Sequence, residues 1–261
     1  MIRKHSKNNL SMNFLPKLVP LLSLILLGSC SHKPLVTNVT ETHYIINQNE
    51  VDSTTYKAIL PYKKNHDELM AKVVAKSEAS FLKADVESTL GNLFCDAVLY
   101  ETRLLLGKDS AMLDVAIFNK GGLRNSLPQG NITVGNVFEL MPFENEVVLL
   151  KLSGAQFKDM CDKIAQKGGI PVGGMRLLMK EGFATDISIN GKAFDLNKDY
   201  WVVTSDYLAN GGDNYIFFKN AQERRAMNVL LRDMIITYCE HMTAQGKILK
   251  PYLDGRIQIS K

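Results

Sequence analysis

The sequence predicts one α+β domain behind an N-terminal export segment, and three observations carry that prediction. Short continuous apolar runs such as Val115-Ala116-Ile117-Phe118 and Trp201-Val202-Val203-Thr204 have strand length. Longer stretches repeat apolar residues at helical spacing, as in Phe157, Met160, Cys161, Ile164 and Ala165. Glycine-rich polar turns separate them, with no tandem repeat of short period and no low-complexity tract.

The elements follow in order. Pro61–Lys72 reads as a short helix with Pro61 near its start, and Val73–Leu82 as a strand. Ser88 caps a helix whose apolar positions are Leu90, Leu93, Phe94, Ala97, Val98, Leu104 and Leu105. Asp114–Phe118 is a buried strand, Gly130–Leu140 a turn and short helix, and Val147–Leu152 another strand. Gly154–Gln166 is an amphipathic helix stopped by Gly168-Gly169. Met175–Met179 and Ala184–Ile189 are strands, and Asn190-Gly191 turns the chain into Lys192–Phe194. The stripe Met227, Leu230, Leu231, Met234, Ile235, Tyr238 and Met242 predicts a last helix over Gln222–Ala244, with Arg256–Ile259 closing a sheet edge.

Residues 1–29 read as an export signal. Arg3, Lys4, Lys7 and Lys17 precede the apolar stretch Leu18–Leu27, which is too short to span a bilayer comfortably. It ends Leu27-Gly28-Ser29-Cys30, a sequence that resembles the bacterial lipoprotein processing box, so Cys30 is the expected lipidation site. Residues 30–40 form a tether and 41–261 the domain. The expected location is the cell envelope, lipid-anchored after export across the cytoplasmic membrane. Ser31 after the cysteine, rather than aspartate, favours the outer membrane over the inner.

Of 31 Lys and Arg, those four precede Cys30 and no acidic residue does, so the mature chain carries about as many bases as its 27 acids. That balance gives no nucleic-acid footprint; Lys63-Lys64 and Arg224-Arg225 read as solvated faces. Cys95, Cys161 and Cys239 are widely spaced with no CxxC pair, and Cys161 falls on an apolar stripe. His5, His32, His43, His66 and His241 are scattered, without the Asp-x-His or His-x-His spacing of metal clusters. No Gly-x-Ser-x-Gly elbow or P-loop occurs either. No catalytic residue and no metal ligand is therefore predicted.

Two turns carry the chemistry. Asn119-Lys120-Gly121-Gly122-Leu123-Arg124 follows one strand, and Asn210-Gly211-Gly212-Asp213-Asn214-Tyr215 follows another. Paired glycines allow unusual backbone angles and close ligand approach. Arg124 offers a planar fork for phosphate, and Asp213 two acceptors for sugar hydroxyls. Phe143, in a proline-fixed loop, and Tyr207, just before the second glycine pair, supply aromatic faces that could clasp a base.

These segments recur in order with others: Leu90-Gly91-Asn92-Leu93-Phe94-Cys95-Asp96-Ala97, Asn119 to Arg124, Pro142-Phe143 with Asn145, Leu152-Ser153-Gly154, Tyr207 to Asp213, and Gly255-Arg256-Ile257. The set resembles the C-terminal domain of the 5'-nucleotidase/UDP-sugar hydrolase family, from about Pro61 to the C-terminus. The resemblance implies a four-layer α/β/β/α domain with mixed sheets. It implies that Asn119 contacts substrate, Arg124 binds phosphate, Phe143 and Tyr207 sandwich the base, Asn145 bonds its edge, and Asp213 holds the ribose, with Gly211 and Gly212 shaping that loop. Tyr207 stands where phenylalanine is common, and Asn214 where glycine is usual. Asp85, Val86, Glu87 and Asn92 supply none of the further arginines some members carry. Too few residues lie between Cys30 and the matching region for the family's metallophosphoesterase domain. The expectation is therefore the nucleotide-binding half of a split 5'-nucleotidase, with divalent metals on a separate metallophosphoesterase chain. A stand-alone nucleotide- or nucleoside-binding lipoprotein is the alternative, and a relic whose cleft binds nothing a third.

Overall fold

The computed structural model describes Glu41, His43 and residues 52–260. The expected export signal, the expected lipidation site Cys30 and the expected tether lie outside the described residues, and the compact unit begins at Ser53. Helix α1 spans Ser53–Ala71, β1 Val73–Ser77, α2 Thr89–Leu106, β2 Leu113–Ile117, β3 Gly130–Thr133 and α3 Val134–Leu140. Then come β4 Glu146–Ser153, α4 Gly154–Gln166, β5 Val172–Gly173, β6 Met175–Lys180, β7 Phe183–Ile189 and β8 Lys192–Ala193. The chain ends with β9 Asp199–Ser205, α5 Asp206–Ala209, β10 Glu223–Leu230, α6 Leu231–Ala244 and β11 Ile257–Ile259.

A five-stranded sheet in the order β10-β4-β9-β2-β5 forms the centre. Only β2 and β9 run parallel in it, the other neighbours being antiparallel. A four-stranded sheet in the order β11-β6-β7-β8 is also mixed, with β11 parallel to β6 at its edge as expected. One face of the central sheet (Ala116, Leu149, Val203) packs with Phe94 and Val98 of α2 and Met234 and Ile235 of α6. The other face (Val115, Val148, Val202) shares a second core with Phe157 and Ile164 of α4 and Leu177 and Ile187 of the four-stranded sheet. The α+β class with mixed sheets is the architecture expected.

Several motif residues turn out to be frame. Ser88 caps α2 by accepting from the Gly91 amide at 2.9 Å. Ser153 caps α4 within a reciprocal capping box with Gln156. Gly154 follows because a Cβ there would meet the Leu196 carbonyl oxygen at 2.0 Å. Gly174 joins the two sheets with φ +75°, and a Cβ there would lie 2.3 Å from the Asp114 carbonyl oxygen. Arg256, 5% exposed, donates to both carboxylate oxygens of Asp96 at 2.8 and 3.0 Å and to Asp254 at 2.9 Å. Asn92 is buried, donating to Glu87 and to the Tyr252 carbonyl. Thus the α2 motif and the Gly255-Arg256-Ile257 motif clamp the C-terminal strand to the body.

The structure corrects several sequence-based expectations, and Gly130–Thr133, read as a turn, is strand β3 paired with β1. Helix α1 starts at Ser53, and Pro61 sits inside it; the lost donor is tolerated in a helix with no buried residue. Strand β1 stops at Ser77, after which Phe81 makes only an isolated bridge to Leu127. Leu104 and Leu105 are exposed rather than core. The expected last helix begins as a strand: Glu223–Leu230 pairs with β4 and helix begins at Leu231. A register shift between Ala226 and Leu230, with Asn228 at φ +54°, spaces Met227 and Leu230 to mimic a helical stripe. Cys95, Cys161 and Cys239 are all buried and free, and burial raises the Cys161 thiol well above its usual range.

Replacing Asp96 by alanine leaves the buried Arg256 guanidinium short of its bidentate partner. We expect Asp96→Ala to lower the unfolding free energy by about 3 kcal/mol in urea titration; a loss below about 1 kcal/mol would mean that the clamp is not a stability element.

Candidate functional site

Three loops meet at one edge of the central sheet. Because β2 and β9 are parallel, with Ala116 beside Val203, their carboxyl ends share an edge, the usual place for ligands on open α/β sheets. Strand β4 runs the other way, with Val147 opposite Ser205, so its entry loop arrives at the same edge. Between the loops lies a cleft of about 520 Å³. Asn119, Arg124, Phe143, Asn145, Tyr207 and Asp213 all line it. Gly211 and Gly212 do not line it; they act from behind.

The loop after β2 is a short 3-10 turn, Lys120–Gly122. Neither of its glycines adopts a positive φ, which corrects the expectation of unusual backbone angles there. Gly122 instead gives room: a Cβ would lie 3.2 Å from the Asn119 side-chain oxygen. Arg124 anchors its backbone N–H on the Leu140 carbonyl at 2.8 Å. Its guanidinium stays exposed, 5.8 Å from the centre of the Phe143 ring. The positive group and one aromatic wall therefore sit together.

The Phe143 loop is held from beneath by residues not predicted from sequence. Arg232, on α6 and mostly buried, donates to the Phe143 carbonyl at 3.3 Å and lies over the Phe138 ring. The Leu231 amide donates to the Asn145 carbonyl at 2.9 Å. Asp206 organises the centre. Its Oδ1 accepts from the Asn145 side-chain amide at 2.8 Å, from the Glu146 amide at 3.2 Å and from the Tyr207 amide at 2.8 Å. A carboxylate only accepts, so Asp206 fixes the Asn145 amide with its nitrogen inward. Asp206 stands beside Tyr207 in the sequence, but nothing local marks it as the partner of a residue on another strand.

The second turn does use special backbone. Gly211 has φ +88°, and Asp213 and Asn214 follow at +52° and +64°. Asparagine tolerates this region better than most residues, so Asn214 keeps the conformation that a glycine would give. Gly212 serves by absence: a Cβ would lie 2.6 Å from two Tyr207 ring carbons. The Tyr207 ring is thus seated on Gly212, and its hydroxyl donates to Asp213 Oδ1 at 2.8 Å. That hydrogen bond raises the Tyr207 pKa, so the phenol keeps its proton. Lys167 reaches the other Asp213 oxygen at 3.6 Å. Glu144 lines the cleft as well. Lys167 and Glu144 were invisible to sequence reasoning, being ordinary charged residues outside both turns.

The arrangement presents a cation, two half-exposed aromatic rings and a carboxylate around one cavity. Among the described residues, no group of three or more His, Cys, Asp or Glu side chains is placed to hold a metal ion. His241 bonds Glu101 at 2.8 Å on the α2–α6 side, away from the residues of the cleft.

Comparisons with known proteins place the fold in a family. The model of the 5'-nucleotidase C-terminal domain matches residues 73–220. The trifunctional nucleotide phosphoesterase YfkN of Bacillus subtilis is 29% identical over 188 residues, covering 66% of this chain and 12% of its own. The cell wall protein Lmo0130 of Listeria monocytogenes is 26% identical over 189 residues, covering 66% of this chain and 24% of its own. The crystal structure of a 5'-nucleotidase precursor from Thermus thermophilus superposes with a TM-score of 0.66 at 27% identity, covering 80% of this chain and 43% of that one. The chain therefore spans less than half the length of these relatives. With the matched region taking in both glycine turns and the loop between them, the chain belongs to the 5'-nucleotidase family through its C-terminal domain.

Proposed function

We propose that this chain is the nucleotide-binding half of a split 5'-nucleotidase of the cell envelope. One observation carries the reading: a single cleft gathers Arg124, Phe143, Tyr207 and Asp213 from three separate loops. Arg124 suits the phosphate, the two rings suit the base, Asn145 its edge, and Asp213 the ribose hydroxyls between. Asn119 lies beside Arg124 in the same turn and contacts the substrate there. In this reading the divalent metals and the hydrolytic step are assigned to a separate metallophosphoesterase chain. This chain contributes position and specificity. The leader and Cys30 support export and a lipid anchor in the outer membrane, and a cell wall relative is consistent with an envelope location.

The purified chain is expected to release no phosphate from AMP or UMP with added Mn²⁺ or Zn²⁺, and to bind both nucleotides in calorimetry. Arg124→Ala should weaken AMP by roughly tenfold or more and adenosine much less, because only AMP carries the charged partner. Asp213→Ala should weaken both. Mixing with a metallophosphoesterase captured from envelope extracts should restore turnover. Phosphate release by this chain alone would overturn the division of labour. Binding without any such partner would favour a stand-alone nucleotide-binding lipoprotein.

Gly212→Ala pushes a methyl group into the Tyr207 ring and against the Tyr207 carbonyl oxygen. We expect it to weaken AMP roughly tenfold through lost base stacking, while ribose 5-phosphate, which has no base, changes little. Equal losses for the two ligands would place Tyr207 outside the base site.

A further inference from the structure

Resting on the reading that the cleft holds a nucleoside, we propose that the Tyr207 hydroxyl sets its sugar selectivity. It takes one lone pair of Asp213 Oδ1 and crowds that oxygen from the ring side, weakens a two-point grip of the carboxylate on a vicinal diol, and so lets ribose and deoxyribose nucleotides bind about equally.

A vicinal diol is held best by one carboxylate when each hydroxyl donates to a separate oxygen. In this cleft Asp213 Oδ1 already accepts the phenolic proton at 2.8 Å. The phenol in turn accepts from the Asp213 backbone N–H at 3.2 Å, so the pair is closed on both sides. The second oxygen, Oδ2, faces the Lys167 ammonium at 3.6 Å. A sugar arriving at Asp213 finds one oxygen shared with a cation and the other already bonded to a neutral donor on its ring side.

The contact is also built to persist. Tyr207 is fixed from below by Gly212 and from its own backbone by Asp206. Asp213 and Asn214 are consecutive left-handed residues, and the Asp213 carboxylate meets the tyrosine hydroxyl from that turn. Swinging the hydroxyl away means moving the ring that serves as the base platform. Phenylalanine would keep that platform and free Oδ1. Tyr207→Phe therefore separates the sugar effect from the stacking effect.

Calorimetric titration of wild type and Tyr207→Phe with AMP and 2'-deoxy-AMP tests this. The wild-type ratio of the two dissociation constants should lie within about threefold. In Tyr207→Phe it should rise to roughly tenfold in favour of AMP, because a site that gains a bond to a sugar hydroxyl rejects the analogue lacking it. Repeating the step in Asp213→Asn, where the carboxylate is gone, should leave the ratio unmoved. A ratio unchanged by Tyr207→Phe, with both nucleotides still bound, would overturn the proposal and leave the nucleotide reading intact. A wild-type preference for AMP already near tenfold would do the same. Failure of the wild type to bind either nucleotide would sink the nucleotide reading and this inference together.

Discussion

The parallel pairing of β2 with β9 is the constraint on which the cleft depends. Two loops separated by some eighty residues in the chain face one cavity because the strands before them point the same way and lie side by side. The buried Thr204 hydroxyl reinforces the pairing by donating to the Ile117 carbonyl at 2.9 Å. Reversing either strand would send Arg124 and Asp213 to opposite ends of the sheet. The antiparallel β4 completes the set, since its entry rather than its exit meets that edge. The chemistry of each loop is local, but their convergence is a property of strand direction.

A second layer of residues then converts proximity into a fixed geometry. Asp206 ties the Asn145 amide, the start of β4 and the Tyr207 backbone to one oxygen. Arg232 and the first turn of α6 hold the Phe143 loop from the core side. The two aromatic walls thus come from differently supported segments. Half-exposed rings on unsupported loops would lose much of their stacking energy to ordering. Here much of that ordering is met by folding itself, in bonds made whether or not a ligand is present.

Much of this is legible in the sequence, and the parts that are not share a physical cause. Helix α4 is readable to the residue because its stripe, its Ser153 cap and its glycine stop all agree. The cleft residues are legible because glycine pairs beside single charges leave a local mark. Strand β10 is not, because a bulge near Asn228 resets its register and its residues lie on an edge, half in water. Asp206, Lys167 and Arg232 escape sequence reading because each acts across the fold on a residue far along the chain. The role of Gly121-Gly122 differs from its expected one for a related reason: glycine in a sequence signals either angle or space, and only a neighbour's position tells which. At Gly122 the neighbour is the Asn119 side chain; at Gly212 it is the Tyr207 ring.

That distinction bears on what family membership implies for activity. The matched segments divide into two physical kinds. Leu90 to Ala97, Leu152-Ser153-Gly154 and Gly255-Arg256-Ile257 are frame: a capped helix, a crowded helix start, and a buried arginine clamp. They persist in any chain that folds this way, whatever its loops bind. The chemistry-bearing residues of the other three segments have no such duty: Leu123, Leu208 and Ala209 beside them do the packing, while Arg124, Phe143 and Tyr207 are exposed and Asp213 partly so. A fold under no demand to bind could exchange them at little cost in stability. Their joint presence around one cavity, pinned by Asp206 and Arg232, is therefore the stronger argument for a working ligand site. The corner of the cleft where the Tyr207 hydroxyl meets the Asp213 carboxylate is the contact on which the proposed sugar selectivity turns.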